Sequence, residues 1–266
     1  MNQYRGIAGK RILITGATSG LGLAMAAALI KEGAKVLISG RDQRKIDEAV
    51  AFVKSLPGNC IGAIIDVRDE QSIEKGLAQI VQLWGGIDVL INNAGIGMQT
   101  VNPQFMTNPK PFWEISSSGF RDLIDTNLTG YFLVAKAVVP YFLKTGSGRI
   151  INIGVSEGTK KRKGFIPYGP SRAGTESLSH IMAQDLAGCG VTVNLLQPGG
   201  ATETGMLPEE SRAKMGAQFL RPEVMAEPVI FLCSDESRSL NDEEIVAKDF
   251  REWKTKWLNY ENAKQN

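Results

Sequence analysis

The sequence predicts an α/β fold, a doubly wound parallel sheet of about seven strands in a single domain. Short β-branched runs alternate along the chain with longer segments of helical periodicity, as in βαβ units. The strand candidates are almost continuously apolar, which is typical of a sheet covered by helices on both faces. The 266 residues, 43% of them hydrophobic, suffice for one large core, and no linker, repeat or low-complexity segment divides them.

The elements are expected in strict alternation. The strand candidates are 11–15, 35–39, 60–66, 89–92, 149–153, 191–196 and 244–247. The helix candidates between them are 20–32, 43–56, 70–84, 119–143, 170–187 and 222–233. Gly33 and Gly188 stand just after two of these helices, where glycine commonly ends a helix. Strands separated by helices in this way are predicted to run parallel.

Two segments fall outside this alternation. Residues 96–118 are too long and too polar for an ordinary connection, so we expect a functional loop on the substrate side of the sheet. Residues 248–266 form a basic, aromatic extension in which Trp253, Trp257 and Tyr260 stand on one helical face. We expect that face to cover the core or a subunit contact.

The amino-acid composition limits the classes of partner that the protein is expected to bind. Lys and Arg number 30 against 28 Asp and Glu, and the net charge of +2 argues for neither nucleic acid nor a membrane surface. The N-terminus lacks the apolar core of a signal peptide, and no segment approaches the roughly 20 apolar residues that span a bilayer. We therefore expect a cytoplasmic protein.

The cysteines and the single histidine argue against metal and hydrolase chemistry. Cys60, Cys189 and Cys233 are odd in number and widely spaced, so we expect reduced, buried thiols and neither a disulfide framework nor a metal site. His180 lies in a helical stretch, and no G-x-S-x-G turn accompanies it. His180 is therefore interpreted as a structural or interface residue.

The most informative stretch is TGATSGLG at 15–22, which follows the first strand and opens the first helix. Gly16 permits a tight turn, Gly20 lets the backbone approach a phosphate, and Gly22 lets the helix pack closely on the strand. The N–H groups at the start of the helix can then receive a pyrophosphate. The pattern predicts a Rossmann-type dinucleotide site, to which the same turn also contributes Thr18, Ser19 and Leu21.

Further motifs follow in order along the chain. They are Asp66-Val67 after the third strand, Asn92-Asn93-Ala94-Gly95 after the fourth, Asn127 in DTNLTG, Tyr168 in YGPSR and Pro198-Gly199 after the sixth. Together with the glycine-rich turn, this set resembles the short-chain dehydrogenase/reductase family over nearly the whole chain up to 247. The resemblance implies hydride transfer between NAD(P)(H) and a carbonyl or alcohol substrate.

The same resemblance assigns residues to the cofactor and to assembly. Asp66 and Val67 would contact the adenine, and the floor of the cleft would be formed by Asn93, Ala94 and Gly95. The nicotinamide side would be met by Pro198, Gly199, Ala201 and Thr202. Residues 200–220 would include a lid, and the helices at 119–143 and 170–187 would pair subunits into a homodimer or homotetramer.

The end of the second strand predicts NADP(H) as the cofactor. An NAD-selective enzyme of this fold usually has an acidic residue there, which bonds the ribose 2′-hydroxyl and repels a 2′-phosphate. Here Gly40 takes that position and is followed by Arg41, whose planar fork suits a phosphate. Ser39 and Ser19 are further candidate donors. Asp42 precedes a helical stretch and is expected to cap it.

The catalytic motif departs from the family at two positions. The family uses a tyrosine that exchanges a proton with the substrate oxygen, a lysine four residues later and a serine some thirteen residues earlier. Tyr168 matches the tyrosine, but Arg172 replaces the lysine and Val155 the serine, with Ser156 beside it. Arg172 still supplies a positive charge that stabilises a phenolate. Because it cannot lose a proton, a relay would run through water or ribose hydroxyls, with Asn127 available to hold water.

Val155 is the more consequential departure because it offers no hydrogen bond to a developing oxyanion. Removing one such donor lowers a rate roughly 10²–10³-fold. Ser156 replaces it only if the strand bulges or ends first, since alternation otherwise turns neighbouring side chains to opposite faces. Thr159 is a second candidate hydroxyl.

Three functions therefore stay open. The motifs favour an NADP(H)-dependent oxidoreductase that acts on a small carbonyl or alcohol substrate, with Tyr168 as general acid and base. The alternatives are an NADP(H)-binding sensor or partner subunit with little turnover, and the reduction of an imine. The basic run 160–163 either attracts an acidic substrate or is a solvated loop. In the loop 96–118, a wall for a substrate or a subunit contact could be formed by Met98, Phe105, Met106, Phe112 and Trp113.

Overall fold

The computed structural model describes residues 4–206 and 219–265. Within these ranges the protein has one parallel sheet of seven strands, in the order β3-β2-β1-β4-β5-β6-β7. The strands are β1 (Arg11–Ile14), β2 (Lys35–Gly40), β3 (Asn59–Ile64), β4 (Val89–Asn92), β5 (Gly148–Ile153), β6 (Val191–Gln197) and β7 (Glu244–Val246). The predicted fold class is confirmed.

Helices connect the strands and cover both faces of the sheet. In the described ranges the α-helices are α1 (Gly20–Lys31), α2 (Gln43–Val53), α3 (Glu70–Trp84), α4 (Ser117–Ile124), α5 (Gly130–Thr145), α6 (Glu157–Lys160), α7 (Tyr168–Asp185), α8 (Ala226–Cys233) and α9 (Phe250–Gln265). A π-helical segment, Asp125–Thr129, joins α4 to α5. The one helix predicted at 119–143 is therefore three segments, and π-helical turns of this kind are frequent at functional sites.

The sheet is buried on both faces, as the apolar strands predict. Along β1, Ile12 and Ile14 belong to one core cluster and Leu13 to the other, because successive side chains of a strand point to opposite faces. The first cluster also holds residues of α1, α2, α8 and α9, and the second holds residues of α3, α5 and α7.

The strand order determines where a ligand can bind. β1 pairs with β2 on one side and with β4 on the other, so the connections from these strands leave in opposite directions. A crevice opens at such a reversal outside the carboxyl ends of the strands, and open α/β sheets bind their ligands there. The glycine-rich turn and the motifs after β3, β4 and β6 all lie at this edge.

The C-terminal extension forms α9. Trp253 and Trp257 stack with ring centroids 6.0 Å apart, and both meet Phe231 of α8 edge-on. The two tryptophans cover the core, as predicted for this face, whereas Tyr260 is 60% exposed.

The expectation of three buried thiols is wrong, because only Cys233 is buried, while Cys60 is partly exposed and Cys189 is exposed. His180 makes a structural contact, with Nδ1 2.6 Å from Asp242 Oδ1 in the loop before β7.

None of the helices in the described ranges combines the length and apolar character that a membrane crossing requires.

Candidate active site

A cleft of about 920 Å³ opens at the carboxyl ends of the strands. Most of the predicted site residues line it, although they come from loops that are far apart in the sequence. They are Gly16, Thr18, Ser19, Gly20, Leu21, Gly22, Arg41, Asp66, Val67, Asn93, Ala94, Gly95, Ser156, Tyr168, Arg172, Pro198, Ala201 and Thr202.

Three predicted residues lie outside this lining. Ser39 is completely buried, and its hydroxyl donates to the carbonyl of Ile14 at 3.3 Å, so the role of cofactor donor does not hold for its side chain. Strand alternation turns it into the protein interior. Gly199, with φ +90°, packs against Val246 of β7. Asn127 is fully buried next to the cleft.

The glycine-rich turn forms a cradle for an anion. Ser19 is the N-cap of α1, but its hydroxyl makes no capping hydrogen bond, and no acidic side chain stands in the first turn. The first N–H groups of a helix have no intrahelical partner and can therefore bind an anion. Gly16 adopts φ +62°, and a Cβ there would lie 2.6 Å from the Cα of Ala94. Glycine is thus required for these two loops to approach so closely.

Thr15 and Asn93 join the two loops of the cradle. Thr15 Oγ1 accepts hydrogen bonds from the backbone N–H groups of Asn93 at 2.9 Å and Ala94 at 3.0 Å. Asn93 Nδ2 donates to the carbonyls of Thr15 and Gly16, both at 2.9 Å. The side-chain amide of Asn93 therefore connects the loop after β4 to the glycine-rich turn. Thr15 was not among the predicted residues, and the available signal was a polar side chain at the end of an apolar strand.

The end of β2 presents cations to the cleft. Arg41 and Lys45 both line it, and Lys45 was not predicted. Asp42 accepts a hydrogen bond from the backbone N–H of Lys45 at 3.2 Å and caps α2, as expected. A Cβ on Gly40 would lie 2.8 Å from Thr18 Cγ2, so an acidic side chain at this position would crowd the glycine-rich turn.

Asp66 is fixed by its neighbours after β3. Its Oδ2 lies 2.7 Å from Arg68 Nη2, and the hydrogen bonds from Arg68 hold the pKa of Asp66 below its usual value although burial opposes them. The backbone N–H of Asp66 donates to Ser72 Oγ at 3.0 Å. The carboxylate is therefore an ionised, internally paired group on the wall of the cleft.

Tyr168 and Arg172 share one face of α7, as their spacing predicts. The guanidinium carbon of Arg172 lies 5.4 Å from the centroid of the Tyr168 ring. Arg172 is 4% exposed, and no carboxylate of the described ranges forms an ion pair with it. Burial lowers the pKa of Arg172, but the interactions with Tyr131 and Tyr168 outweigh burial and raise it above the usual value. A permanent cation therefore faces the phenol.

Tyr131, on α5, completes the surroundings of Arg172 and was not among the predicted residues. Arg172 Nη1 donates to Tyr131 Oη at 2.9 Å and to the carbonyl of Ile153 at 3.2 Å. Arg172 Nη2 packs against Gly95, where a Cβ would overlap it, and Nε is buried without a hydrogen-bond partner. The available sequence signal was a tyrosine directly after the DTNLTG motif.

Asn127 stands in the π-helical segment and connects the loop after β4 to α7. Its Oδ1 accepts from the N–H of Ile96 at 2.8 Å, and its Nδ2 donates to the carbonyl of Ile96 at 3.0 Å and to Ser171 Oγ at 3.3 Å. These bonds position the cleft floor against Tyr168. That Asn127 also holds a water stays a prediction.

The hydroxyls of Ser156 and Thr159 line the cleft together with Val155. β5 ends at Ile153, so strand alternation no longer separates Ser156 from Val155. Ser156 Oγ lies 3.0 Å from Thr159 Oγ1. When two hydroxyls share one hydrogen bond, one proton is left over for a further acceptor, such as a substrate oxygen.

The wall beside Tyr168 is apolar. Met98, Phe105 and Phe165 are buried in a small cluster against which Tyr168 packs. The Phe165 ring meets Phe105 and Tyr168 edge-on, with centroid distances of 5.5 and 6.3 Å. Part of the predicted apolar wall is thus present in the cleft.

Most of the other predicted substrate features do not line the cleft. In the basic run, the first two lysines pair with Glu157, and only Arg162 of the four lines the cleft. In the loop 96–118, Phe112 and Trp113 are 65% and 72% exposed and pack on each other.

The predicted lid at 200–220 is described only at its two ends. Thr202 and Leu220 pair as a parallel bridge. Gln99 Nε2 donates to the carbonyl of Gly205 at 2.9 Å, which connects the loop after β4 to this segment. The part of the prediction at 207–218 lies outside the described residues.

Comparison with known proteins agrees with this geometry. Residues 10–215 match the family model described as short chain dehydrogenase. The chain belongs to this family. This short-chain dehydrogenase is 35% identical over 238 residues to a 3-oxoacyl-[acyl-carrier-protein] reductase of Thermotoga maritima. The aligned region covers 86% of this chain and 92% of the relative. It is thus an oxidoreductase of the short-chain dehydrogenase type, a family that uses nicotinamide cofactors.

Solved structures of similar proteins contain both nicotinamide cofactors. An actinorhodin polyketide ketoreductase variant with NADPH has a TM-score of 0.79 and 29% identity, covering 91% of this chain and 97% of that chain. A 3-ketoacyl-(acyl-carrier-protein) reductase from Brucella melitensis complexed with NADH has a TM-score of 0.79 and 26% identity, with the same coverages. These likenesses do not discriminate between NADPH and NADH.

Proposed function

We propose that this short-chain dehydrogenase transfers a hydride between NADP(H) and the carbonyl or alcohol group of a small molecule, with Tyr168 as general acid and base. The observation that carries the proposal is the phenol of Tyr168 beside the buried cation of Arg172, at one end of a nucleotide-sized cleft. The apolar cluster around Phe165 supports a substrate with an apolar body.

The residues of the cleft fit an NADP(H) molecule. The pyrophosphate would be held by the N–H groups at the start of α1 and by Ser19, whose hydroxyl makes no capping bond. The 2′-phosphate would be held by Arg41 and Lys45, which suit a dianion at the end of β2. Bound NADP(H) would supply or accept the hydride.

The chain's own groups would move the proton. In the reductive direction the Tyr168 hydroxyl donates its proton to the substrate oxygen, and Arg172 stabilises the phenolate that remains. The hydroxyl pair of Ser156 and Thr159 supplies one hydrogen bond to the same oxygen, in place of the donor that Val155 lacks. Because Arg172 keeps its proton, Tyr168 is reprotonated through water or ribose hydroxyls.

The test is turnover of NADPH with a panel of ketones, aldehydes and diketones, followed by the loss of nicotinamide absorbance. We expect Tyr168→Phe to lower kcat about 10²–10⁴-fold while NADPH binding is retained. Tyr141→Phe is the matched control, since it removes a tyrosine hydroxyl of α5 that does not line the cleft. Turnover that survives Tyr168→Phe unchanged would contradict the assigned role.

A second candidate function is an NADP(H)-binding protein with little turnover. Val155 at the serine position favours it, because valine gives a developing oxyanion no donor. Tight NADPH binding with no turnover on the whole panel, in either direction, would support this function and reject the first.

We also expect a homodimer or homotetramer. Phe120, Phe132 and Ile181 are exposed apolar side chains on α4, α5 and α7, the helices assigned to subunit pairing. Sedimentation of the purified protein tests this expectation, and a monomer at micromolar concentration would contradict it.

A further inference from the structure

Tyr131 hydrogen-bonds the Arg172 guanidinium at 2.9 Å, on the side of that group away from the recognised motifs, to none of which Tyr131 belongs. We propose that Tyr131 is a positioning residue: its hydroxyl fixes one edge of the guanidinium so that the rest of that group faces Tyr168 and the cleft. The consequence for catalysis rests on the proposed function.

The contact is a closed set of three hydrogen bonds. Arg172 Nη1 donates to Tyr131 Oη at 2.9 Å and to the Ile153 carbonyl at 3.2 Å, and Tyr131 Oη donates to the same carbonyl at 3.3 Å. Because the two acceptors, Tyr131 Oη and the Ile153 carbonyl, are hydrogen-bonded to each other, they fix both the distance and the direction of Nη1. The guanidinium carbon also lies 5.6 Å from the Tyr131 ring centroid and 5.4 Å from that of Tyr168, so the cation stands between two aromatic rings.

Tyr131 is itself held rigidly. Its side chain is 1% exposed, and its carbonyl accepts from Asn92 Nδ2 at 3.2 Å. The same Asn92 amide donates to Asn152 Oδ1 at 3.0 Å, and Asn152 Nδ2 donates to Ser179 Oγ at 2.8 Å. This buried chain joins α5 to β4, β5 and α7. The hydroxyl that holds Arg172 therefore belongs to a fixed part of the core.

Arginine suits this arrangement where lysine does not. Nη1 is used by Tyr131 and Ile153, whereas Nη2 stands against Gly95 in the cleft floor and Nε is unpartnered. A lysine has one terminal nitrogen on a shorter stem, so it lacks the separate nitrogens with which arginine contacts Tyr131 and Ile153 on one side and the cleft floor on the other. The arginine at 172 and the tyrosine at 131 thus form one unit.

The first test is a double-mutant cycle on kcat with Tyr131→Phe and Arg172→Lys. Tyr131→Phe keeps the ring and removes only Oη, and Tyr141→Phe on the same helix is the control. With arginine at 172, we expect Tyr131→Phe to lower kcat about tenfold and to leave the substrate KM unchanged, because the free energy of one hydrogen bond to a charged group corresponds to a change of about this size. With lysine at 172, we expect Tyr131→Phe to have no effect on kcat. Equal losses in both backgrounds, or no loss beside arginine, would overturn the proposal.

The second test needs neither cofactor nor turnover. Urea unfolding of the apoprotein is measured for Tyr131→Phe, Arg172→Met and the double variant. We expect Tyr131→Phe to lower the folding equilibrium constant about tenfold beside arginine and less than about threefold beside methionine. Equal losses in the two backgrounds would overturn the proposal even if the enzyme is active. Clear coupling in a protein without turnover would support the contact and reject only the proposed activity. If Arg172→Lys alone is inactive, the unfolding cycle decides the proposal by itself.

Discussion

The two ends of the cleft are built in different ways. At the nucleotide end, the shape depends on backbone groups: Gly16 with its positive φ, its approach to Ala94, and the first N–H groups of α1. At the catalytic end it depends on side chains, chiefly Tyr168 and Arg172. Both departures from the family pattern lie at the catalytic end, and TGATSGLG contains none.

The physical reason is that the two kinds of site tolerate change differently. A backbone N–H can reach an anion only if no Cβ intervenes, so the glycine-rich turn has no substitute. A hydrogen bond or a charge can be supplied from another position, as Ser156 is proposed to do for the serine position and Arg172 for the lysine. The catalytic end can therefore be rebuilt while the nucleotide end cannot.

After Tyr168→Phe, the largest effect is expected from Ser156→Ala, also at the catalytic end. If Ser156 supplies the donor to the substrate oxygen, kcat falls about 10²-fold with little change in NADPH binding. Steady-state kinetics measure it, with Thr159→Val as the matched variant that removes the other hydroxyl of the pair. A larger loss for Thr159→Val would assign the donor to Thr159 instead.

The next effect is at the nucleotide end, from Gly16→Ala. The new Cβ would lie 2.6 Å from the Ala94 backbone, and the alanine would have to adopt a φ of +62°. We expect this strain, about 2 kcal/mol, to weaken the binding of NADPH and NADH alike by about 30-fold. Fluorescence titration of the bound nicotinamide measures both affinities. Gly146→Ala is the control, because Gly146 has φ +63° with nothing near its missing Cβ. Similar losses for both variants would mean that the close approach is unimportant.

Arg41→Ala separates the two nicotinamide cofactors. Loss of a charged hydrogen bond to the 2′-phosphate should weaken NADPH binding about tenfold and leave NADH binding unchanged. The expected loss of affinity is at the lower end of what such hydrogen bonds contribute, because Arg41 is exposed to solvent. The control is Arg44→Ala, which removes an arginine of α2 that pairs with Glu48 and does not line the cleft. Equal losses for NADPH and NADH would defeat the NADP(H) assignment.

The smallest effect is expected from Val155→Ser. With Ser156 already in place, a hydroxyl at 155 should change kcat by no more than about twofold, because one donor to the oxyanion is already present. In the Ser156→Ala background the same substitution should restore most of the lost rate. Failure to restore it would show that position 155 does not reach the substrate oxygen in this chain.

The parallel fold, the glycine-rich turn and the family could all be recognised before the structure, because they depend on local pattern. The alternation of apolar strands with helices predicts the sheet, and the glycines of 15–22 serve a turn whose requirements are set by neighbouring residues. The i,i+4 spacing likewise predicts that Tyr168 and Arg172 share a helix face. Asp42 could be recognised as a cap for the same reason.

Packing established the rest, since it brings together residues whose relation no local pattern contains. Ser39 was predicted at the cleft, but the strand turns it toward the Ile14 carbonyl. Ser156 reaches the cleft because β5 ends at Ile153. Tyr131 meets Arg172 across 41 positions, a contact that exists only because α5 and α7 pack on the same face of the sheet. Contacts of this kind follow from how helices and strands are stacked, and a chain read residue by residue does not reveal them.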